Sequence, residues 1–253
     1  PPKKRLLNLL AAFAHDEGEC AALRQLATDG AKDDNALANE PTLLEILLAF
    51  PSTSPPLNYL AEYVPPLVAR AFSIASAPGE ERMIELHILT RDPLTQAVID
   101  YLQHHRIARV QVPFGDACLT APPTQPLVLI AAGTGLAQMQ SIIEDCLQQG
   151  VTQPIHLYWG VRHSDDLYNA PHWQRWEQAP NLYLHRVVSD QADWSGRQGL
   201  LHQAVCEDLT DLADYRFVVS GSPGMVYATL DALVAAGMPA QQMQADAFAY
   251  APR

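Results

Sequence analysis

Between Pro126 and Leu136 an unbroken apolar run, Leu-Val-Leu-Ile-Ala-Ala, ends in Gly133-Thr134-Gly135 and passes straight into a helical pattern at Met139, Ile142, Ile143 and Leu147. A parallel strand that feeds a glycine turn and then a helix presents free backbone N–H groups and a positive dipole end to a phosphate. Glycines let the backbone approach the ligand closely and adopt positive φ. Many strand–helix units share such a turn, so its meaning depends on its company. Downstream, strands at Ile155–Trp159, Tyr183–Val188 and Phe217–Ser220 alternate with helices near Leu136–Gln149, Trp173–Glu177, Leu200–Glu207 and Gly224–Ala236, and a last strand is expected at Gln242–Phe248. Regular β–α alternation predicts an α/β fold: a parallel sheet covered on both faces, with ligands at the C-terminal strand ends.

The chain ahead of this region reads differently. Apolar spacing predicts helices at Arg5–Ala14, Glu19–Thr28, Pro41–Phe50 and Leu57–Tyr63, with a polar loop at Asp29–Asn39. From Leu67 the period shortens. Ala71–Ala75, Ile84–Leu89 and Ala108–Pro113 are expected as strands, Thr95–His104 as a helix, and Thr120–Gln125 as a linker.

Charge and cysteine usage narrow the function. A net charge of −12, with Lys3-Lys4-Arg5 as the one basic run, argues against nucleic acid as a partner. The four cysteines, Cys20, Cys118, Cys146 and Cys206, form no CxxC pair, and the histidines show no ligand spacing. No metal site or disulfide framework is expected, and a reducing, cytoplasmic setting is. No stretch reaches the ~18–20 continuous apolar residues of a membrane helix, and no signal peptide is visible. The chain opens on Pro1-Pro2 without a methionine, which leaves open whether further sequence precedes it.

Two further motifs carry chemistry. Arg70-Ala-Phe72-Ser73 would put Arg70 and Phe72 on one face of a strand, with Ser73 opposite. An aromatic there can stack on a planar ring, an arginine can pair with a phosphate, and a serine hydroxyl can reach a ring nitrogen. Near the C-terminus stands Asp246-Ala-Phe248.

With these motifs in this order, residues 70–253 resemble the ferredoxin–NADP reductase superfamily, and most closely its NAD(P)H-dependent flavin reductases. The resemblance runs through Arg70–Ser76, Val112-Pro-Phe-Gly-Asp116, Ile130–Leu136, Leu157-Tyr-Trp-Gly160, Asp166-Leu-Tyr168, Gly196–Gly199 and Asp246–Phe248. Residues 1–66 are similar instead to the helical connecting insertion of cytochrome P450 reductase and the sulfite reductase flavoprotein, through Glu40-Pro-Thr-Leu-Leu44, Phe50-Pro-Ser52 and Pro65-Pro-Leu67. The resemblance implies three parts: a helical connecting segment (1–66), a partial flavin-binding barrel (67–122) and an NAD(P)-binding domain (123–253). In the diflavin enzymes the insertion interrupts a barrel whose first strands precede it. Either such strands lie upstream, or helices stand here in place of half a barrel.

The resemblance also implies roles. Arg70 would bind a flavin phosphate, Phe72 would stack on the flavin, and Ser73 would approach its N5. Asp246 and Ser220 would flank the nicotinamide, Ser220 standing where the diflavin enzymes have a cysteine. Phe248 would shield the flavin, Gly133, Thr134 and Gly135 would hold a pyrophosphate, and Gly221 and Met225 would border the nicotinamide. Thr95 matches the hydroxyl residue at the helix that binds the FAD pyrophosphate, but Asp92 stands where the family has glycine, which implies weak FAD binding and flavin as a substrate. Arg162, Ser189 and Arg197 match groups that grip the 2′-phosphate of NADPH. Asp190, in place of an arginine, suits a free ribose hydroxyl and favours NADH or dual use.

The expected activity is hydride transfer from NADH or NADPH to a flavin (FMN, riboflavin or FAD). The alternative is a piece of a diflavin reductase that passes electrons from NADPH through FAD to a flavodoxin-like FMN domain or another acceptor protein. A non-catalytic interaction module is a third reading, against which the retention of Ser73, Asp246 and Gly133-Thr134-Gly135 speaks.

Overall fold

Alternation within β1 (Leu127–Ala132) sends its side chains into two different cores. Leu127, Leu129 and Ala131 enter one, and Val128 and Ile130 the other. Successive side chains of a strand point to opposite faces, so a strand covered on both sides is apolar at every position. The same division governs β2 (Ile155–Val161), β3 (Leu182–Val188) and β5 (Arg216–Ser220), and two-residue strands β4 (Arg197–Gln198) and β6 (Met243–Gln244) complete the sheet. The computed structural model describes residues 2–29, 43–61, 71–79, 83–90, 93–107, 110, 118–168 and 172–253. Within it the sheet has six strands, all pairs parallel, in the order β4-β3-β2-β1-β5-β6.

Helices α6 (Leu136–Gln148) and α7 (Trp173–Trp176) cover the first face, and α8 (Leu201–Asp208) and α9 (Pro223–Ala235) the second. Trp159, Trp176 and Phe217 are fully buried between these layers, each contributing about 2–3 kcal/mol of hydrophobic burial. Serine at the N-cap and proline at the first position start α9: the Ser222 hydroxyl accepts the Met225 N–H at 3.4 Å, and Pro223 follows. The chain runs outward from β1 through β2 and β3 to β4, then returns to place β5 on the other side of β1. The strand order therefore reverses between β1 and β5, which is where open parallel sheets form their ligand crevice.

The chain divides into two compact units, Pro1–Arg70 and Ala71–Arg253. In the first, α1 (Pro2–Ala12) and α2 (Glu17–Asp29) pair around Leu10, Ala11 and Leu23, with α3 (Leu43–Ala49), Phe50 and Leu60 of α4 (Leu57–Leu60) packed against them. Asp16 caps α2 by accepting the Glu19 N–H at 2.9 Å. Glu19 in turn accepts from the backbone and hydroxyl of Ser52, at 3.0 and 2.6 Å, and fixes the return of the chain.

Three expectations about elements change. Ala71–Ala75 and Ile84–Leu89 do not form strands; they meet in one antiparallel bridge, Ile74 with Leu86, and in the Ala75 N–H to Glu85 carbonyl bond of 2.8 Å. Among the described residues this pairing has no further strand beside it, and a two-stranded pairing alone is marginal in water; Ala108–Pro113, expected beside it, lies outside the described residues except for Val110. The expected helix at Thr95–His104 is α5 (Pro93–His105). The last expected strand pairs only at Met243–Gln244, against Phe217 and Val218. The chain then turns into α10 (Ala247–Tyr250), so Phe248 sits on a helical turn rather than in the sheet.

Candidate functional site

Gly133 leaves β1 with φ of +54°, a left-handed conformation that strains any residue with a Cβ, and open space surrounds the position a Cβ would take. Gly135 has the opposite constraint. A Cβ there would lie 2.5 Å from the carbonyl oxygen of Ser220 at the end of β5. The turn therefore crosses the top of β5 at closest approach before α6 begins. Trp159 of β2 holds the turn from the other side, its indole N–H donating to the Gly133 carbonyl at 2.9 Å. At the end of β5, a Cβ on Gly221 would collide with the Met225 methyl. Ser220, Gly221 and Met225 thus gather at the crevice with Gly133, Thr134 and Gly135.

Asp246 joins this group through Gln138, the third residue of α6, whose amide donates to the Asp246 carboxylate at 3.3 Å. Phe248 packs beside it, its ring 5.5 Å from that of Tyr227 on α9 and half-buried against the second core. The tail beyond is pinned to the same helix. The Tyr227 hydroxyl donates to the Ala251 carbonyl at 2.8 Å, and Arg253 lies over the Tyr227 ring while pairing with Asp231.

A second cluster forms at the ends of β2 and β3. The Ser189 N–H donates to the Val161 carbonyl at 3.0 Å and the Asp190 N–H to the Arg162 carbonyl at 2.9 Å, which carries the parallel pairing past both strands. Arg162 and Asp190 then approach to 3.9 Å with side chains 81% and 52% exposed. Arg197 is placed elsewhere. Its guanidinium is held by both Asp208 oxygens at 2.6 and 2.5 Å, by Glu207 at 2.6 Å and by the Ala204 carbonyl at 3.1 Å. It offsets two carboxylates at the C-terminal end of α8, where negative charge is unfavourable. For Arg197 to grip a 2′-phosphate, as the resemblance implies, the phosphate would have to displace two acids.

On the flavin side, Phe72 and Ser73 are half-buried, and Thr95 is buried in the first turn of α5. Arg70, Asp92 and Val112–Asp116 lie outside the described residues. Three residues beyond Ser73, the Ser76 carbonyl accepts from the Ser141 hydroxyl of α6 at 2.9 Å. Next to it Gln140, fully buried on the same helix, donates to Glu85 at 3.0 Å. Sequence reasoning missed Glu85, His87, Gln140 and Glu144. A signal existed in Gln140 and Glu144, polar residues four apart inside an otherwise apolar helix, each buried and needing a partner. A groove of about 550 Å³ borders Leu182–Arg186, at the other end of β3 from Asp190, and is separate from these clusters. Among the described residues no group of three acidic, histidine or cysteine side chains could hold a metal ion, and no helix is long and apolar enough to cross a membrane.

Comparison with known proteins matches both halves. The model of an oxidoreductase NAD-binding domain matches residues 129–231, and that of an FAD binding domain matches residues 1–91. A protein of Aliivibrio fischeri described as a probable flavin reductase is 35% identical over 187 residues, which cover 71% of this chain and 79% of that protein. The NAD(P)H-flavin reductase of Vibrio harveyi is 33% identical over 72% of this chain and 81% of its own length. The chain belongs to the ferredoxin–NADP reductase superfamily. The reductase component of the Pseudomonas putida naphthalene 1,2-dioxygenase system is 32% identical, and this chain spans 63% of its length. Among solved structures, a cytochrome P450 reductase of Amycolatopsis superposes with a TM-score of 0.61 at 30% identity, covering 72% of this chain and 57% of that one.

Members of this superfamily are NAD(P)H-dependent flavoprotein oxidoreductases, so the residues present must suit a dinucleotide and a flavin. At the crevice they suit the dinucleotide: a Cβ at Gly133, or at Gly224 in the first turn of α9, would meet open space, so two helix starts leave room there for phosphate oxygens.

Proposed function

We propose that the chain is an NADH-preferring reductase that delivers hydride to a loosely held flavin acting as substrate. The observation that carries the nucleotide preference is the Asp190 carboxylate beside Arg162 at the ends of β3 and β2. A carboxylate there accepts hydrogen bonds from a ribose diol and repels a 2′-phosphate. Arg197 is committed to Asp208 and Glu207, and Arg162, 3.9 Å from Asp190, shares its field with that carboxylate. The flavin reductases of Aliivibrio fischeri and Vibrio harveyi, matched over about four-fifths of their length, support free flavin as acceptor.

In this reading a bound nicotinamide supplies the hydride and a bound flavin takes it up. The protein's task is alignment and exclusion of water. The Gly133–Gly135 turn and the start of α9 hold the phosphates, Ser220 and Asp246 border the transferring ring, and Ser73 directs its hydroxyl at the acceptor nitrogen beside Phe72. Stopped-flow reduction of FMN, riboflavin and FAD by NADH and by NADPH tests the reading. A higher kcat/KM with NADH and turnover of unbound flavin are expected; a preference for NADPH, or no turnover of free flavin, would overturn it.

The match of the FAD binding domain to residues 1–91, helices included, favours a second reading, electron delivery to a protein acceptor from firmly bound FAD. FAD retained through purification, with reduction of an FMN protein, would select it.

A further inference from the structure

We propose that Glu85, His87 and Tyr168 are positioning residues for hydride transfer, clasping the segment that carries Phe72 and Ser73 to the scaffold of the glycine turn. This inference rests on the reductase reading above. The contacts run outward from the turn. Trp159, which donates to the Gly133 carbonyl, meets the Tyr168 ring edge-on at 5.1 Å between centroids. The Tyr168 hydroxyl is 2.7 Å from His87 Nδ1, and His87 Nε2 is 3.1 Å from a Glu85 oxygen. The second Glu85 oxygen accepts from buried Gln140 on α6.

The direction of each bond follows from chemistry. A carboxylate only accepts, so His87 Nε2 carries a proton. A neutral imidazole then has an acceptor at Nδ1, and Tyr168 donates to it. Burial, and then the Glu85 charge, push the Tyr168 hydroxyl above its ordinary pKa and keep it a donor. With the imidazole neutral, donation runs from Tyr168 to His87 to Glu85. Glu85 and Ser76 are bound to one another as well, the Glu85 N–H donating to the Ser76 hydroxyl at 3.1 Å, while the Ser76 carbonyl is held by Ser141. An outer ring backs the acid: His172 stands 3.8 Å from Glu85 and 3.7 Å from Glu144, which is held by Arg175 and by the Trp176 indole.

Apolar packing cannot do this job. Ile74, Met83, Ile84 and Leu86 of the same segment are 37–73% exposed, so directed polar bonds are what set its register on α6. Ser73 lies three residues beyond the Ser76 anchor, about 10 Å of extended chain. A small rotation at the anchor is magnified at Ser73, and a displacement of about 1 Å at the reacting atoms costs on the order of a hundredfold in rate.

Tyr168→Phe tests this, because it keeps the ring on Trp159 and removes only the hydroxyl. The hydride-transfer rate from NADH to FMN should fall about tenfold, with both dissociation constants within about twofold of wild type. The double variant Tyr168→Phe/Glu85→Ala should be no slower than the slower single variant, since both cut one relay. His87→Gln, which can still accept and donate, should recover most of the rate lost in His87→Ala. Amide hydrogen exchange supplies a readout independent of activity: protection at Ala75 and Glu85 should drop in Tyr168→Phe while that of β1 and β5 holds. An unchanged transfer rate per folded molecule, with or without a lower melting temperature, would overturn the positioning role. Unchanged exchange at Ala75 and Glu85 would overturn the clasp itself. If the wild-type chain reduces no flavin, the reductase reading fails, and the exchange measurement still decides the clasp.

Discussion

Every residue of β1 from Leu127 to Ala131 is fully buried, whereas Ile84 and Leu89, from a stretch equally expected to be strand, are 54% and 51% exposed. Both regions carry apolar, partly β-branched sequence. They differ in neighbours. β1 is paired on both sides along its length and covered by helices on both faces, so its backbone groups and its side chains are satisfied together. The 74–76 and 84–86 stretches share one bridge and depend on α6 for polar anchorage. Apolar sequence makes a strand only where a sheet exists to receive it, and in this chain the nucleotide half supplies its own sheet while the flavin segment leans on it.

Ser73→Ala probes the weaker region where the effect should be greatest. A hydroxyl that acts mainly as the acceptor nitrogen changes its hydrogen bonding should cost on the order of a hundredfold in hydride transfer, with little change in flavin affinity. Rapid-mixing kinetics would show this, and parallel loss of affinity would instead make Ser73 a binding residue. Gly135→Val probes the stronger region. The forced contact with the Ser220 carbonyl should weaken NADH binding at least tenfold and lower the melting temperature as well, since overpacking at a backbone contact costs about 1–3 kcal/mol. Calorimetric titration alongside thermal melts checks both. A variant that binds NADH normally would show that the turn does not receive the phosphates.

Asp190→Arg should move the NADPH to NADH ratio of kcat/KM about tenfold, the equivalent of ~1.4 kcal/mol. An unmoved ratio would mean that the exposed pair with Arg162 does not face the ribose. The smallest effect lies in the second core. His156 stacks on Tyr183 and His185 on Tyr158, and burial lowers the pKa of both histidines below the ordinary 6.5. For His156 the neighbouring His185 lowers it further against a weaker pull from Asp208; for His185, Asp208 opposes and Arg197 adds. Below pH 6.5 the unfolded chain then binds protons that the folded one refuses. This stability is complete above that pH and is lost as pH falls through 6.5 toward the lowered values. Urea midpoints measured from pH 7.5 to 5 should decline, and His156→Phe should flatten the slope. An unchanged slope would remove His156 from the acid response.

Much of the nucleotide half was legible from residues alone. The continuous apolar run before Gly133, the glycine turn and the β–α alternation leave one economical arrangement, because a parallel sheet needs crossovers and a covered face on each side. Periodicity also located the helices of both units, α10 apart, to within a few residues. Ala71–Ala75 and Ile84–Leu89 were misread as strands because apolar composition states a wish for burial and says nothing of the partner. Phe248 was misplaced onto a strand for a related reason: β6 ends where β5 stops offering a paired neighbour. Tertiary structure alone decided that Arg197 answers Asp208 and Glu207, that Gln138 brings Asp246 to the head of α6, and that Glu85, His87 and Tyr168 meet. The partners stand 10 positions apart for Arg197 and Glu207, 81 for His87 and Tyr168, and 108 for Gln138 and Asp246, and linear spacing holds no information about a distance that only the packed sheet creates.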